Sequence, residues 1–379
     1  MVAKKIWVSS PHMSGNEMKY VQEAYATNWV APLGPNVDGF EQDIQNYTGS
    51  HHCAALSSGT AALHLALILA DVKPDDYVIC QSMTFSASAN PIAYLRANPV
   101  FIDSEIDTWN MDPEILEYSI LELAKKSIKP KAIIPVHLYG MPAKLNRIIE
   151  IGENYDIPVI EDAAESLGST YQSKATGTLG NMGILSFNGN KIITTSGGGA
   201  LISDDQSLIQ KSRFLATQAR DDAPHYQHSQ IGYNYRLSNI LAGIGRGQME
   251  VLQERVQKRR AVNQWYRSFL SEIKGLQFQS EPNDNYFSNF WLTAITIDPE
   301  KTSVTREDVR LKLLENNIES RPLWKPMHLQ PIFKDCLYYG GRVSDILFKT
   351  GLCLPSGSNL GEEEKNRIQK SIMKLFPTR

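Results

Sequence analysis

Short apolar runs separated by helical patterns limit what this chain can fold into. Residues 77–80, 100–103, 132–137, 159–161, 183–187 and 200–203 read as strands, and stretches near 60–70, 113–126, 144–155 and 206–217 carry helical periodicity. Strands that are apolar on both faces must be covered on both faces, and strands joined through helices pair in parallel. The expectation is an α/β chain with a mostly parallel, mixed sheet flanked by helices. In such sheets a ligand sits beyond the carboxyl ends of the strands. The residues following each run are therefore the ones to read for chemistry.

Past residue 236 the pattern changes. Residues 236–270 read as one long helical stretch, with a basic run from Arg255 to Arg260 expected on a solvated helix face. After a Pro282-Asn283-Asp284-Asn285 loop come a strand over 290–297 and helices over 305–316 and 361–376. This divides the chain into a large domain, 1–248, and a smaller C-terminal α+β domain, 249–379. A length of 379 residues suffices for both.

Composition narrows the function classes. A formal net charge of −3 with 21% charged residues gives no basic surplus for nucleic acid or an anionic membrane. The longest apolar run, 61–70, is interrupted by His64 and is too short to span a bilayer. No apolar segment follows Lys4 and Lys5 as a signal peptide would require. Cys53, Cys80, Cys336 and Cys353 make no CxxC pair and no Cys/His metal spacing. Reduced thiols, no metal, no nucleic-acid or membrane partner and a cytoplasmic location are the expectations.

Four features carry chemistry. Ser57-Ser58-Gly59-Thr60 ends a strand and opens a helix, where free amides suit a phosphate, although the same residues also make an ordinary cap. Phe85 follows a strand and can stack on a flat heterocycle or fill a core. Glu161-Asp162 places acids at the end of an apolar strand. A carboxylate there can pair with a protonated pyridine nitrogen or cap a helix. Lys191 lies between Ser186 and a Thr-Thr-Ser-Gly-Gly-Gly run, where it is either a surface lysine in a hairpin or an amine that forms a Schiff base with a carbonyl. Together, phosphate cup, stacking ring, acid and lysine describe a pyridoxal phosphate site.

Longer motifs at matching spacing extend this reading. They are Pro11-His12-Met13-Ser14-Gly15, Asn28-Trp29-Val30-Ala31-Pro32-Leu33-Gly34-Pro35, Ser58-Gly59-Thr60-Ala61-Ala62-Leu63, Pro135-Val136-His137-Leu138-Tyr139-Gly140, Glu161-Asp162-Ala163-Ala164-Glu165, Ser186-Phe187-Asn188-Gly189-Asn190-Lys191 and Gly232-Tyr233-Asn234-Tyr235-Arg236. Over nearly its whole length the chain resembles the DegT/DnrJ/EryC1/StrS sugar aminotransferases, which have the fold-type I architecture of pyridoxal phosphate enzymes. Ser320-Arg321-Pro322-Leu323-Trp324-Lys325-Pro326-Met327-His328-Leu329-Gln330-Pro331 is similar to the branch that aminates C4 of UDP-linked 4-keto-6-deoxy-N-acetylglucosamine in bacillosamine-type and exopolysaccharide pathways.

The resemblance implies roles. Lys191 would carry the cofactor and shuttle a proton, and Asp162 would bind the pyridinium nitrogen. Ser186, Gly59 and Thr60 would hold the phosphate, and Phe85 would stack on the ring. Asn234 would reach the phosphate of the neighbouring subunit in a homodimer with a shared active site. Glu165 departs from the Gln or His that many relatives carry near the cofactor's 3-hydroxyl. Trp324, Lys325 and His328 are candidates for the nucleotide-sugar pocket, with packing as the other role open to each. The implied reaction moves an amino group from glutamate to C4 of a UDP-linked 4-keto-6-deoxy-N-acetylhexosamine. The alternatives are amination at C3, a dTDP- or GDP-linked sugar, or a non-catalytic sensor of pyridoxal phosphate or a nucleotide sugar.

Overall fold

The computed structural model describes residues 4–376. Its centre is one continuous sheet of eight strands: β1 (His52–Leu56), β2 (Tyr77–Gln81), β3 (Asn98–Ile102), β4 (Ala132–Ile134), β5 (Ile160–Asp162), β6 (Met182–Ser186), β7 (Gly199–Ser203) and β8 (Leu337–Tyr339). Their order across the sheet is β1-β7-β6-β5-β4-β2-β3-β8. Two four-stranded ladders are joined by parallel bridges from Ile133 to Val159 and from Val136 to Asp162. Only β7 runs against its neighbours in this sheet. The expected α/β fold with a mostly parallel, mixed sheet is what forms.

The sequence explains the layering. Ile79, Val100, Ile102 and Ile133 pack with Leu116, Leu145 and Ile148 of the crossing helices on one face. Val78, Phe101, Ile134, Ile160 and Leu201 meet Leu63, Leu65 and Leu67 on the other. The helix Gly59–Leu69 is apolar around most of its circumference and is buried from Ala61 to Leu67, as a central helix must be.

A second sheet lies in the C-terminal third. Its strands Leu276–Phe278, Thr293–Ile297, Gly351–Leu354 and Arg321–Pro322 are adjacent in that order and antiparallel throughout. Ile295, Ile297, Leu352 and Leu354 pack against Tyr266, Leu313, Ile368 and Ile372 of three helices. The strand expected over 290–297 starts only at Thr293, because Phe290 takes a left-handed φ of 43° and turns the chain.

Two sequence expectations are corrected here. The single helical stretch over 236–270 is two helices, Asn239–Met249 and Leu252–Leu270, because Val251 leaves helical geometry (φ −117°, ψ 6°). The break lets the two halves serve different bodies. Gly245 and Gly247 bring the first helix so close to Phe40 and Glu17 that a Cβ would sit 2.6 and 2.7 Å from them. The second turns Val262, Tyr266 and Leu270 toward the smaller sheet. The run from Arg255 to Arg260 is not wholly a solvated face either: Arg255 and Arg259, one helical turn apart, are buried. Inward spacing and available acceptors decide their placement, not charge alone.

We propose the division at 248/249 as the organisation of the chain, with two exchanges across it. Residues 337–339 supply β8 to the large sheet beside β3. Ile6 bridges to Ile318 and joins the smaller core. Among the described residues, no helix is long and apolar enough to cross a membrane, and no group of three or more His, Cys, Asp and Glu side chains could hold a metal ion. All four cysteines are unpaired.

Candidate active site

At the carboxyl edge of the large sheet, the loops after β1, β2, β4, β5 and β6 enclose a cavity of about 300 Å³. Gly59, Thr60, Phe85, Asp162, Glu165, Ser186 and Lys191 all line it, joined by Trp291 and Trp324 from the C-terminal third. Parallel topology gathers these residues from distant positions, because every parallel strand delivers its following loop to the same edge.

One end of the cavity offers the donors that suit an anion. Ser58 caps the helix Gly59–Leu69, its Oγ accepting from the Ala61 amide at 3.0 Å. Helix geometry leaves the Gly59 and Thr60 amides without an intrahelical acceptor, and the helix dipole adds positive potential there. A Cβ on Gly59 would stand 3.0 Å from Ser186 Cβ and 3.4 Å from its Oγ, so glycine keeps that cradle open.

The floor carries the acid. Asp162 ends β5, and its Oδ2 accepts from Ser88 Oγ at 2.6 Å, while Oδ1 accepts from the Ala164 amide at 3.1 Å. Ser88 in turn pairs with Thr84 at 2.6 Å. These contacts fix the carboxylate and still leave lone pairs free toward the cavity. Strand alternation sends the neighbouring acid elsewhere. Glu161 is fully buried and accepts from His137 Nε2 (2.9 Å) and from the amides of Gly177, Leu179 and Gly180. Burial alone would raise its carboxyl, but the bonds from His137, Gly180 and Gly177 outweigh burial and hold it below the usual range. It is a structural anchor.

Lys191 lies at the turn after β6. Its Nζ is 3.6 Å from Glu165 Oε1 and 4.2 Å from the centre of the Trp291 ring. Glu165 is buried, with Oε2 accepting from the Tyr139 amide at 2.7 Å and Oε1 from Trp324 Nε1 at 3.3 Å. Burial pushes its carboxyl up, and Lys191 and the Tyr139 amide offset that only in part. Tyr139 holds a left-handed φ of 57°, and its hydroxyl accepts from the Trp324 amide at 2.7 Å. Phe85 is half exposed and faces Trp324 across 5.3 Å.

Other sequence candidates lie elsewhere. Asn234 is exposed, outside the cavity lining, on a segment whose Tyr235 carbonyl accepts from the Ser57 amide at 2.7 Å. Lys325 and His328 do not line the cavity. His328 has both ring nitrogens engaged, with Ser82 Oγ at 2.7 Å and Asp345 Oδ1 at 2.9 Å, and it stacks on Tyr338 at 3.7 Å. That geometry clamps segment 323–345 to the large sheet.

Sequence reading missed Ser88, Thr84, Tyr139 and Trp291. Tyr139 lies within one of the longer motifs, and Ser88 sits one turn past Phe85. Trp291 carried no local signal.

Residues 11–373 match the DegT/DnrJ/EryC1/StrS aminotransferase family. The chain belongs to that family. EpsN of Bacillus subtilis (strain 168), whose assignment as a pyridoxal phosphate-dependent aminotransferase is itself provisional, is 53% identical over 379 residues, covering 99% of this chain and 97% of its own. GDP-perosamine synthase of Caulobacter vibrioides is 36% identical, with 96% of each chain covered. The crystal structure of a DegT/DnrJ/EryC1/StrS aminotransferase from Brucella abortus superposes with a TM-score of 0.89 at 29% identity, again over 96% of each chain. Family membership makes the chain an aminotransferase of the sugar-modifying type, and the cavity at the sheet edge is where such chemistry has room.

Proposed function

We propose that this aminotransferase uses pyridoxal phosphate to move an amino group from glutamate to C4 of a UDP-linked 4-keto-6-deoxy-N-acetylhexosamine, in cell-surface glycan or polysaccharide biosynthesis. The observation that carries the reading is one cavity holding a lysine amine, an oriented carboxylate and an open helix N-terminus. Pyridoxal phosphate, when bound, supplies an electron sink for negative charge developing at the reacting carbon.

The chain's own residues divide the rest of the work. The amides of Gly59 and Thr60 and the hydroxyl of Ser186 hold the phosphate. Asp162, fixed by Ser88 and Ala164, holds the ring nitrogen in its protonated form, since an opposite charge favours the charged state. Phe85 covers the ring face. Lys191 would hold the cofactor through its amine and, when that amine is free, would carry a proton at Nζ. Trp291 and Trp324 shield that end of the cavity from water. Glu165 is the carboxylate within ion-pair range of Lys191.

Support for the sugar comes from segment 320–331. It resembles the UDP-sugar branch, and its Trp324 lines the cavity, while Arg321 lines an adjoining pocket with Trp324 and Trp291 and pairs with Glu319 at 2.6 Å. The relative named for a GDP-linked product points to the competing nucleotide. Incubation with nitrogen-labelled glutamate and the UDP-, GDP- and dTDP-linked 4-keto sugars separates the readings. The label should enter the UDP sugar with kcat/KM at least about tenfold above the others, a difference of about 1.4 kcal/mol. Preference for the GDP sugar, or equal activity on the sugar without its nucleotide, would remove the UDP assignment.

We also propose a homodimer in which Asn234 of one subunit completes the phosphate site of the other, supported by the exposure of Asn234 in a single chain and its place beside the Ser57 turn. Mixing inactive Lys191→Ala and Asn234→Ala proteins should restore part of the activity. A fully active monomer at high dilution would contradict it.

A further inference from the structure

The helix Leu252–Leu270 sends one side chain beneath the Lys191 turn. Arg259 is 1% exposed, and no carboxylate is among its hydrogen-bond partners. Its Nη1 donates to the carbonyls of Trp291 (2.5 Å) and Ser356 (3.2 Å), and its Nη2 to Ser9 Oγ (3.0 Å) and the Lys191 carbonyl (3.5 Å). Its Nε has no partner among the described residues.

The acceptors form a ring around one peptide. Ser9 Oγ donates to the Asn190 carbonyl at 2.6 Å, and Trp291 Nε1 donates to that same carbonyl at 2.7 Å. The two successive carbonyls of Asn190 and Lys191 are thus held by Arg259, directly at Lys191 and through Ser9 and Trp291 at Asn190. The Trp291 ring at the other end of this network faces Lys191 Nζ. One guanidinium joins four separate parts of the chain at the root of the lysine.

A buried guanidinium without a counter-ion is a poor device for stability. Apolar residues of similar volume fill such space at less cost, and an orphaned donor adds a penalty. Burial lowers the group to about 9, which leaves it charged at neutral pH. A residue retained at that cost at this place points to positioning.

We infer that Arg259 is a positioning residue that fixes the Lys191 turn, so that the lysine amine meets the aldehyde carbon of its cofactor. The inference rests on the pyridoxal phosphate reading of the cavity. The step it serves joins Lys191 Nζ to the aldehyde carbon as a C=N bond, with the carbonyl oxygen leaving as water. Displacing a reacting group by about 1 Å costs roughly a hundredfold in rate.

The test compares two ligands on the full-length apoprotein. Pyridoxine phosphate lacks the aldehyde and reports only the phosphate and ring cradle. Pyridoxal phosphate, followed by borohydride reduction and peptide mapping, reports covalent capture at Lys191. Arg259→Lys should slow capture about a hundredfold and leave the pyridoxine phosphate Kd within about threefold. Ser9→Ala, which cuts the relay to Asn190 and removes one of the four acceptors of the guanidinium while leaving the charge itself in place, should slow capture about tenfold and keeps the test open if Arg259→Lys fails to fold. A purely structural role would lower Tm and weaken both ligands together, or leave capture at the wild-type rate, and either result overturns the inference. Failure of the wild-type protein to capture pyridoxal phosphate at Lys191 would instead defeat the cofactor reading, a different outcome from normal capture in both variants.

Discussion

Lys191→Ala should abolish amino transfer, with kcat falling by about ten-thousandfold or more, or roughly 5 kcal/mol of barrier, because covalent anchorage and proton transfer vanish together. The lost side chain is mostly buried in the cavity and its Nζ is not part of the apolar core. Its removal also leaves Glu165 without its cation, but burial already pushes that carboxyl up, so it can take a proton rather than stay an unpaired charge. The folded state should therefore persist, and cofactor should still enter the cradle without being fixed by borohydride. Steady-state kinetics with glutamate and the keto sugar, beside a thermal melt, reads both. Residual activity within tenfold of wild type would move the amine elsewhere.

Asp162→Asn should lower kcat by about a hundredfold to a thousandfold, since a buried charge-assisted hydrogen bond contributes roughly 1.5–3 kcal/mol and the charge also sustains the ring's protonated form. The substitution is close to isosteric, so the contacts with Ser88 and Ala164 tolerate it and Tm should move by only a few degrees. KM for the sugar should change little, because the interaction matters most where negative charge develops. A variant with unchanged kcat would show that another group serves the ring nitrogen.

The sheet was legible in the sequence because β2, β3, β4, β6 and β7 are largely apolar on both faces, and that burial writes itself as short runs, while β5 continues the apolar Ile157-Pro158-Val159 before its two acids. β8 was not: Leu337-Tyr338-Tyr339 is three half-buried residues ending at Gly340, too short to carry a period. Gly59, Phe85, Asp162 and Lys191 could be picked out because strand ends in such a sheet are chemically privileged positions. Ser88 and Trp291 act through tertiary contacts that no local pattern records. Arg259 was misread for the same reason, since a basic run looks solvated until the acceptors at Ser9, Trp291 and Ser356 are brought to it from elsewhere in the chain. Glu165 shows the reverse case. Its identity was noticed, but only the fold shows its carboxylate turned toward Lys191 and Trp324.

The most direct measurement is borohydride reduction of the wild-type protein loaded with pyridoxal phosphate, followed by peptide mapping. The account predicts a single stable adduct on the peptide containing Lys191. An adduct on any other lysine, or none at all, would contradict it.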